Sequence, residues 1–131
     1  MNIGMNREMV SEDWDRIKNF TEAEFKCKHC GEVHMNLQFI TELQHARYLS
    51  RCPYVISSGY RCLQYDAQIG GKGNHPTGQA ADILIPDSAA RYAILNGLFA
   101  AGFTRIGIGK TFVHVDGLEG VKPREMVWLY D

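Results

Sequence analysis

The sequence Gly71-Lys-Gly-Asn-His-Pro-Thr-Gly-Gln-Ala-Ala-Asp-Ile-Leu-Ile85 joins a glycine-rich loop to a short apolar segment. The loop carries His75, and the apolar segment carries Asp82. Because residues 80 to 85 are mostly apolar and end at Pro86, they predict a buried strand. An ionised aspartate in such a strand is costly to bury alone, so Asp82 requires a metal ion, a cation or a network of donors.

A second polar pair lies in the β-branched run Thr111-Phe-Val-His-Val-Asp116. If this run is a strand, the side chains of His114 and Asp116 point to the same face. Catalytic zinc sites take three protein ligands and leave one position open for water. His75, Asp82 and His114 are therefore candidate ligands of one zinc ion. The alternative for each histidine taken alone is a solvated surface residue or a hydrogen-bonded core residue.

Composition limits the class of protein. The chain has 131 residues, of which 45% are hydrophobic and 11% aromatic, enough for one core but marginal for two. We therefore expect a single domain over residues 1–131, with its core from about residue 20 to residue 130. The formal net charge of −1 gives no electrostatic support for a nucleic-acid partner.

The sequence predicts neither a targeting segment nor a membrane span. No stretch approaches the ~18 consecutive apolar residues of a spanning helix. The first ten residues lack the basic region and apolar core of a secretory signal. The sequence thus predicts a protein without a membrane span that is synthesised in the cytoplasm without a signal peptide. Action outside the membrane would then require another factor for release.

Four cysteines suggest a second site. Cys27 and Cys30 form a Cys-x-x-Cys pair, which in a reducing compartment is more typical of metal binding or redox chemistry than of a structural disulfide. They are a candidate second zinc site, although no second Cys-x-x-Cys pair accompanies them; unbound reduced thiols are the alternative. Cys52 and Cys62 flank a predicted strand, and we expect both to be small buried thiols.

Two longer helices are predicted. Asn36 is a suitable N-cap for a helix that ends near Ser50, in which apolar residues recur at three-to-four spacing. Ser88 is the expected cap of a helix over residues 89 to 101. The buried face of this second helix is expected to consist of Tyr92, Leu95, Leu98 and Phe99.

The remaining pattern predicts strands with one short helix among them. Residues 54–58 predict a core strand, and residues 63–69 a short helix ended by two glycines. The segments 105–109 and 112–116 are too close to enclose a helix, so they predict a hairpin. Residues 125–130 predict a last strand. This order is typical of an α+β domain with a mainly antiparallel sheet and helices packed on one side.

The chain carries four motifs in this order: Ser57-Ser-Gly-Tyr-Arg61, His75-x6-Asp82, Gly107-Ile-Gly109 and Phe112-Val-His-Val-Asp116. Together they resemble the zinc D-alanyl-D-alanine carboxypeptidase family, in particular its murein endopeptidases and phage endolysins. The resemblance extends from about Phe20 to Trp128. It implies the fold shared by these enzymes and the hedgehog signalling domain, one catalytic zinc ion, and hydrolysis of peptide bonds in peptidoglycan.

The resemblance also implies roles for individual residues. His75, Asp82 and His114 match the zinc ligands of the family, and Arg61 matches the arginine that engages the substrate. A guanidinium suits this role because it stays charged and offers paired donors to a carboxylate or a carbonyl. Ser58 and Asn74 are further candidates for substrate binding. Asn74 would supply a side-chain hydrogen bond where relatives often have a serine one position earlier, at Gly73.

The chain departs from many relatives at the general base. Relatives often carry Glu or Asp three residues before the last histidine ligand, where this chain has Thr111. Asp116 is the nearest carboxylate in the sequence to His114 and is our candidate for the base. It could instead orient His114 as a hydrogen-bond partner.

Three functions follow from these observations. The first is a zinc metallopeptidase of the carboxypeptidase or endopeptidase type that cleaves peptidoglycan stem or cross-link peptides. It would be phage or prophage associated and act on the cell wall after release or as part of a virion. The second is a catalytically silent module that binds wall peptide or a protein. The third is an interaction domain centred on a zinc knuckle at Cys27 and Cys30. The sequence does not indicate an oligomeric state.

Overall fold

A five-stranded sheet forms one layer of the protein, which is represented by a computed structural model that describes residues 3–130. The strands are β1 (Ile56–Ser58), β2 (Ala80–Leu84), β3 (Arg105–Ile108), β4 (Phe112–Asp116) and β5 (Met126–Leu129). Their order in the sheet is β1-β2-β4-β3-β5, and all neighbours are antiparallel except the β3–β5 pair. The predicted hairpin is present as β3 and β4, and the strand at the C-terminal end joins it in parallel.

The helices complete an α+β domain, as the sequence pattern predicted. The two long helices pack against each other, and the Cα of Gly97 lies so close to the other helix that an added Cβ would meet Ser50 Oγ at 1.9 Å. Short 3-10 turns occur at Ile3–Met5, Glu22–Phe25 and His75–Thr77. The helices are α1 (Ser11–Trp14), α2 (Leu37–Ser50), α3 (Leu63–Gln68) and α4 (Ser88–Ala100).

The alternation of side chains along the strands separates the core from the site. Ile83, Val113 and Val115 are fully buried and belong to the core cluster with residues of α2 and α4. Asp82 and His114 lie at the intervening positions and therefore face the other side of the sheet. They are direct partners in the β2–β4 register, so the sheet itself brings them together.

The expected cap and buried face of α4 were wrong in part. The N-cap is Asp87 rather than Ser88, because the Asp87 carboxylate accepts the backbone N–H of Ala90 at 2.8 Å. Tyr92 is 75% exposed and Phe99 50% exposed. Apolar residues occur almost all round this helix, and the close approach at Gly97 selects a face of Ile94, Gly97 and Leu98.

The α2 prediction is confirmed at its start, where Asn36 Oδ1 accepts the backbone N–H of Phe39 at 3.0 Å. The first strand is shorter than expected, because pairing with β2 begins at Ile56 rather than at Tyr54. None of the helices within residues 3–130 is both long enough and apolar enough to cross a bilayer.

Candidate active site

The three candidate zinc ligands converge on one point. Each offers one ligand atom, and these atoms lie within 4.8 Å of one another. His114 Nδ1 is 2.9 Å from Asp82 Oδ1, and His75 Nε2 is 3.4 Å from the same oxygen. Asp82 and His114 come from paired strands, whereas His75 begins the 3-10 turn that precedes β2. The glycine-rich loop thus places His75 beside Asp82 and His114, which the sheet register brings together.

Both imidazoles are held by their other nitrogen. His75 Nδ1–H donates to the carbonyl oxygen of Gly59 at 2.7 Å, and His114 Nε2–H donates to Asp116 Oδ2 at 2.9 Å. A neutral imidazole has only one N–H, so the nitrogens that face Asp82 carry lone pairs. Without a metal ion, a proton joins His114 Nδ1 to Asp82 Oδ1 across 2.9 Å, and a bound metal ion would take the place of that proton. This arrangement fits a metal ion held by oriented ligands.

The electrostatics of the cluster favour an ionised carboxylate. Burial acts to raise the pKa of Asp82, but hydrogen bonds with His114 and His75 outweigh it and hold that pKa well below its usual range. Burial acts to lower the pKa of His114, but hydrogen bonds with Asp116 and Asp82 raise it above its usual value. Asp82 is therefore an anionic ligand even though its side chain is only 13% exposed.

Asp116 lies behind His114, away from the cleft. It is fully buried, and its Oδ1 accepts from Arg105 Nε at 2.6 Å and from the backbone N–H of Leu118 at 3.2 Å. Burial acts to raise the pKa of Asp116, but the hydrogen bonds from His114 and Arg105 prevail, and the pKa is lowered. Both carboxylate oxygens are therefore engaged with protein donors.

Arg61 is fixed beside the metal ligands by three acceptors. Its Nε donates to Ser58 Oγ at 2.9 Å, its Nη1 to Asp66 Oδ1 at 3.0 Å, and its Nη2 to Asp82 Oδ2 at 3.3 Å. A guanidinium has five N–H donors, so one remains on each terminal nitrogen. Ser58, the predicted substrate-binding residue, accepts this bond from Arg61 and lines the concavity next to it.

The cluster opens into a cleft of about 360 Å³. Asn74 lies in its wall, where its Oδ1 accepts from Lys122 Nζ. A second concavity of about 270 Å³ shares Arg61 and Asp82 with the first, so the surface continues on both sides of the arginine. Other side chains in the wall of the first cleft are Ile69, Lys72, Phe112 and Tyr130.

Three residues near the site escaped sequence reasoning. Asp66 is buried in α3 and fixes Arg61, and Arg105 is buried and fixes Asp116. Tyr130 lines the cleft; burial raises its pKa above the usual value, and the charges of Asp82 and Asp116 add to this, so the phenol keeps its proton. Asp66 and Arg105 are visible in the sequence as charged residues. Only the fold shows that they pair with Arg61 and Asp116.

The arrangement of the cysteines differs from the one predicted from the sequence. Cys62 lies with Cys27 and Cys30 in a second group whose sulfur atoms are within 4.8 Å of one another. Cys62 and Cys52 are both partly exposed, so neither is the fully buried thiol that the sequence suggested. The four cysteines all fall within the described residues, and none forms a disulfide.

Comparison with protein families finds a match over most of the chain. The model of a family described as Peptidase M15 matches residues 16–116, a span that includes the three candidate ligands, Arg61 and Cys62. A search of curated proteins finds no match to the chain.

Proposed function

Because the chain belongs to the Peptidase M15 family, we propose that it is a zinc-dependent peptidase that hydrolyses peptide bonds in bacterial peptidoglycan stem or cross-link peptides. One observation carries this proposal. His75, Asp82 and His114 present three ligand atoms to one point at the floor of a cleft, and each imidazole is oriented by a hydrogen bond from its other nitrogen.

His75, Asp82 and His114 would hold the zinc ion through Nε2, Oδ1 and Nδ1. When bound, zinc supplies Lewis-acid chemistry: it polarises a carbonyl and makes water a better nucleophile at neutral pH. Three protein ligands leave a coordination position free, which is typical of a catalytic rather than a structural site.

Arg61 would bind the substrate peptide. The two N–H donors that it does not use on Ser58, Asp66 and Asp82 suit a carboxylate or a peptide carbonyl. Because three acceptors already fix the guanidinium, little side-chain entropy remains to be lost when substrate binds. Asn74 and the protonated phenol of Tyr130 offer further polar contacts in the cleft.

Asp116 suits a positioning role better than that of the general base. Its oxygens are engaged by His114, Arg105 and Leu118, its pKa is lowered, and it does not line the cleft. A carboxylate in this state holds the imidazole in one tautomer, with Nε2–H toward Asp116 and Nδ1 toward the metal position.

A second candidate function is a silent module that binds wall peptide without cleaving it. Within residues 3–130, Asp82 is the one carboxylate in the walls of the two concavities, and Thr111 occupies the position where relatives carry the base. A binding module would need the cleft and Arg61 but no base.

Digestion of purified peptidoglycan separates the two functions. Zinc-loaded protein is expected to release fragments with new termini, and mass spectrometry of these fragments would identify the bond and distinguish carboxypeptidase from endopeptidase action. His114→Ala is the control that should release none. Peptidoglycan that is bound and pulled down but left intact by the zinc-loaded protein would favour the silent module.

The biological setting follows from the resemblance to phage endolysins. We propose that the peptidase acts on the cell wall in phage or prophage lysis or as part of a virion. Expression in the cytoplasm of a bacterial host together with a separate membrane-permeabilising protein tests the lysis role, because lysis should require both proteins and an intact His114.

A further inference from the structure

A second cluster of metal-binding side chains lies outside the candidate active site. The sulfur atoms of Cys27, Cys30 and Cys62 lie within 4.8 Å of one another, and all three thiols are free. The imidazole Nδ1 of His29 is 3.6 Å from Cys62 Sγ, and its ring stacks on Tyr65 at 5.6 Å between centroids. Three thiols and one imidazole are the donor set of a structural zinc site.

The backbone builds this cluster from a tight turn. The N–H of Gly31 donates to the carbonyl oxygen of Cys27 at 2.9 Å, and the N–H of Cys27 donates to that of Glu32 at 2.8 Å. Gly31 has a φ of +78°, a conformation that glycine adopts without strain. The turn reverses the chain within five residues, so the side chains of Cys27 and Cys30 come together.

The third cysteine is brought to this turn from a segment 35 residues away in sequence. The N–H of Tyr60 donates to the carbonyl oxygen of Phe25 at 2.9 Å, which joins the two segments just before the cluster. The N–H of Cys62 then donates to Cys27 Sγ at 3.4 Å, and that of Tyr65 donates to Cys62 Sγ at 3.4 Å. Donors aimed at sulfur stabilise thiolates, the form in which cysteine binds metals.

We propose that Cys27, Cys30 and Cys62, with His29 as the fourth ligand, bind a structural zinc ion. Tetrahedral zinc with sulfur at about 2.3 Å and nitrogen at about 2.0–2.1 Å separates those two atoms by about 3.6 Å. The distance between His29 Nδ1 and Cys62 Sγ matches this separation. The three sulfur atoms already lie within 4.8 Å of one another, and the imidazole would move toward Cys27 and Cys30 to complete the set. Four protein ligands close the coordination shell, so this ion has no position for substrate.

The zinc ion would brace one wall of the cleft. Cys62 directly follows Arg61 in the chain, so a ligand bond at Cys62 restrains the backbone that carries the guanidinium. Lys28, within the turn, donates from Nζ to the carbonyl oxygen of Ser57 and lines the concavity beside Arg61. The assignment of this ion is independent of whether the cleft catalyses hydrolysis.

The number of zinc ions per chain, measured by elemental mass spectrometry, tests the proposal. Protein purified under reducing conditions in the presence of zinc is expected to hold two ions per chain. Cys30→Ser should hold one, and a His75→Ala/His114→Ala double variant should also hold one. Cys52→Ser, which changes a partly exposed thiol outside the cluster, should keep two. Two ions in Cys30→Ser, or no zinc in the double histidine variant, would overturn the assignment.

Cobalt substitution gives a readout that needs no cysteine variant to fold. Cobalt in the His75→Ala/His114→Ala protein is expected to show intense thiolate-to-cobalt charge-transfer absorption in the near ultraviolet, and His29→Ala should alter this spectrum. Absence of the charge-transfer band in the double histidine variant would refute thiolate ligation. A disulfide between two of the three cysteines in protein isolated with reductant would also refute thiolate ligation.

Discussion

The two clusters of candidate metal ligands in this chain differ in what assembles them. The ligands His75, Asp82 and His114 depend on the sheet, because two of them are cross-strand partners and the third follows a loop that enters β2. The proposed ligands Cys27, Cys30 and Cys62 depend on a turn and a loop joined by a few backbone hydrogen bonds. Sheet register therefore determines the first cluster, whereas a local turn and one long-range backbone pairing together determine the second.

The clusters also differ in chemistry. The first offers nitrogen and oxygen donors and opens to a cleft, and three such protein ligands would leave a coordination position free. The second offers three sulfur atoms and an adjacent imidazole, a set that would close around the proposed ion. One small domain thus holds two donor sets of different chemistry, and Arg61 contacts Asp82 of the first and precedes Cys62 of the second.

Loss of one ligand from each cluster should have unequal effects on activity. His114→Ala is expected to lower hydrolysis of peptidoglycan by about 10³-fold or more, because the Lewis acid contributes several kcal/mol to transition-state stabilisation. Cys30→Ser, where it folds, should retain activity within about tenfold. Release of soluble peptides from sacculi measures both. Equal losses of activity in the two variants would contradict the proposal that one metal ion is catalytic and the other structural.

Arg61→Lys tests the residue that contacts one cluster and directly precedes a ligand of the other. Lysine keeps the charge but cannot reach Ser58, Asp66 and Asp82 together, so the buried Asp66 carboxylate loses a partner. We expect kcat/KM to fall by about 10- to 100-fold, corresponding to ~1.5–3 kcal/mol, with zinc content unchanged. Arg47→Lys on α2 is the matched control and should leave kcat/KM unchanged. A parallel loss of zinc in Arg61→Lys would show that the arginine supports the metal instead.

Asp116→Asn separates a positioning residue from a general base. The amide keeps the size of the side chain but loses the charge that holds His114 Nε2–H. A positioning role predicts about 10- to 100-fold weaker zinc binding, with activity restored by saturating zinc. The measurement is activity across a zinc titration. Full zinc occupancy without activity would instead identify Asp116 as the base.

The smallest effect is expected from Gly71→Ala in the glycine-rich loop. A Cβ at this position would lie 2.1 Å from Asp66 Oδ1, so the carboxylate that fixes Arg61 must shift. A cost of ~1 kcal/mol would lower kcat/KM about fivefold. Gly120→Ala is a suitable control, because a Cβ there meets nothing within 4 Å. Comparison of kcat/KM between the two alanine variants would show how tightly the loop constrains Arg61. Equal kcat/KM values would argue against an effect of the loop on the arginine.

Local patterns in the sequence were sufficient for much of the fold. The Asn36 cap, the short hairpin and the alternation of apolar and polar residues in β2 and β4 depend on neighbours in the chain, and the structure has each of them. The same alternation brings Asp82 and His114 to one face, and a register slip of one residue would have separated them.

Features that depend on distant segments could not be predicted. The contact between Cys62 and Cys27 depends on how the Phe25 and Tyr60 backbones pair, which no local pattern encodes. The buried face of α4 was misjudged for a related reason: its sequence offers several apolar faces, and only the approach of α2 at Gly97 selects one. The anchoring of Arg61 by Asp66 likewise required the three-dimensional arrangement.

The position of Trp128 gives the active-site cluster an intrinsic optical probe. Its indole lies 5.6 Å from the imidazole of His114, between ring centroids, and the guanidinium carbon of Arg105 lies 5.1 Å from the indole centroid. The other tryptophan, Trp14, is buried against Phe25 in the core and supplies a constant background. Because indole emission responds to nearby charge, binding and release of metal at this cluster are expected to change the fluorescence of the unlabelled protein, in real time and separately from turnover.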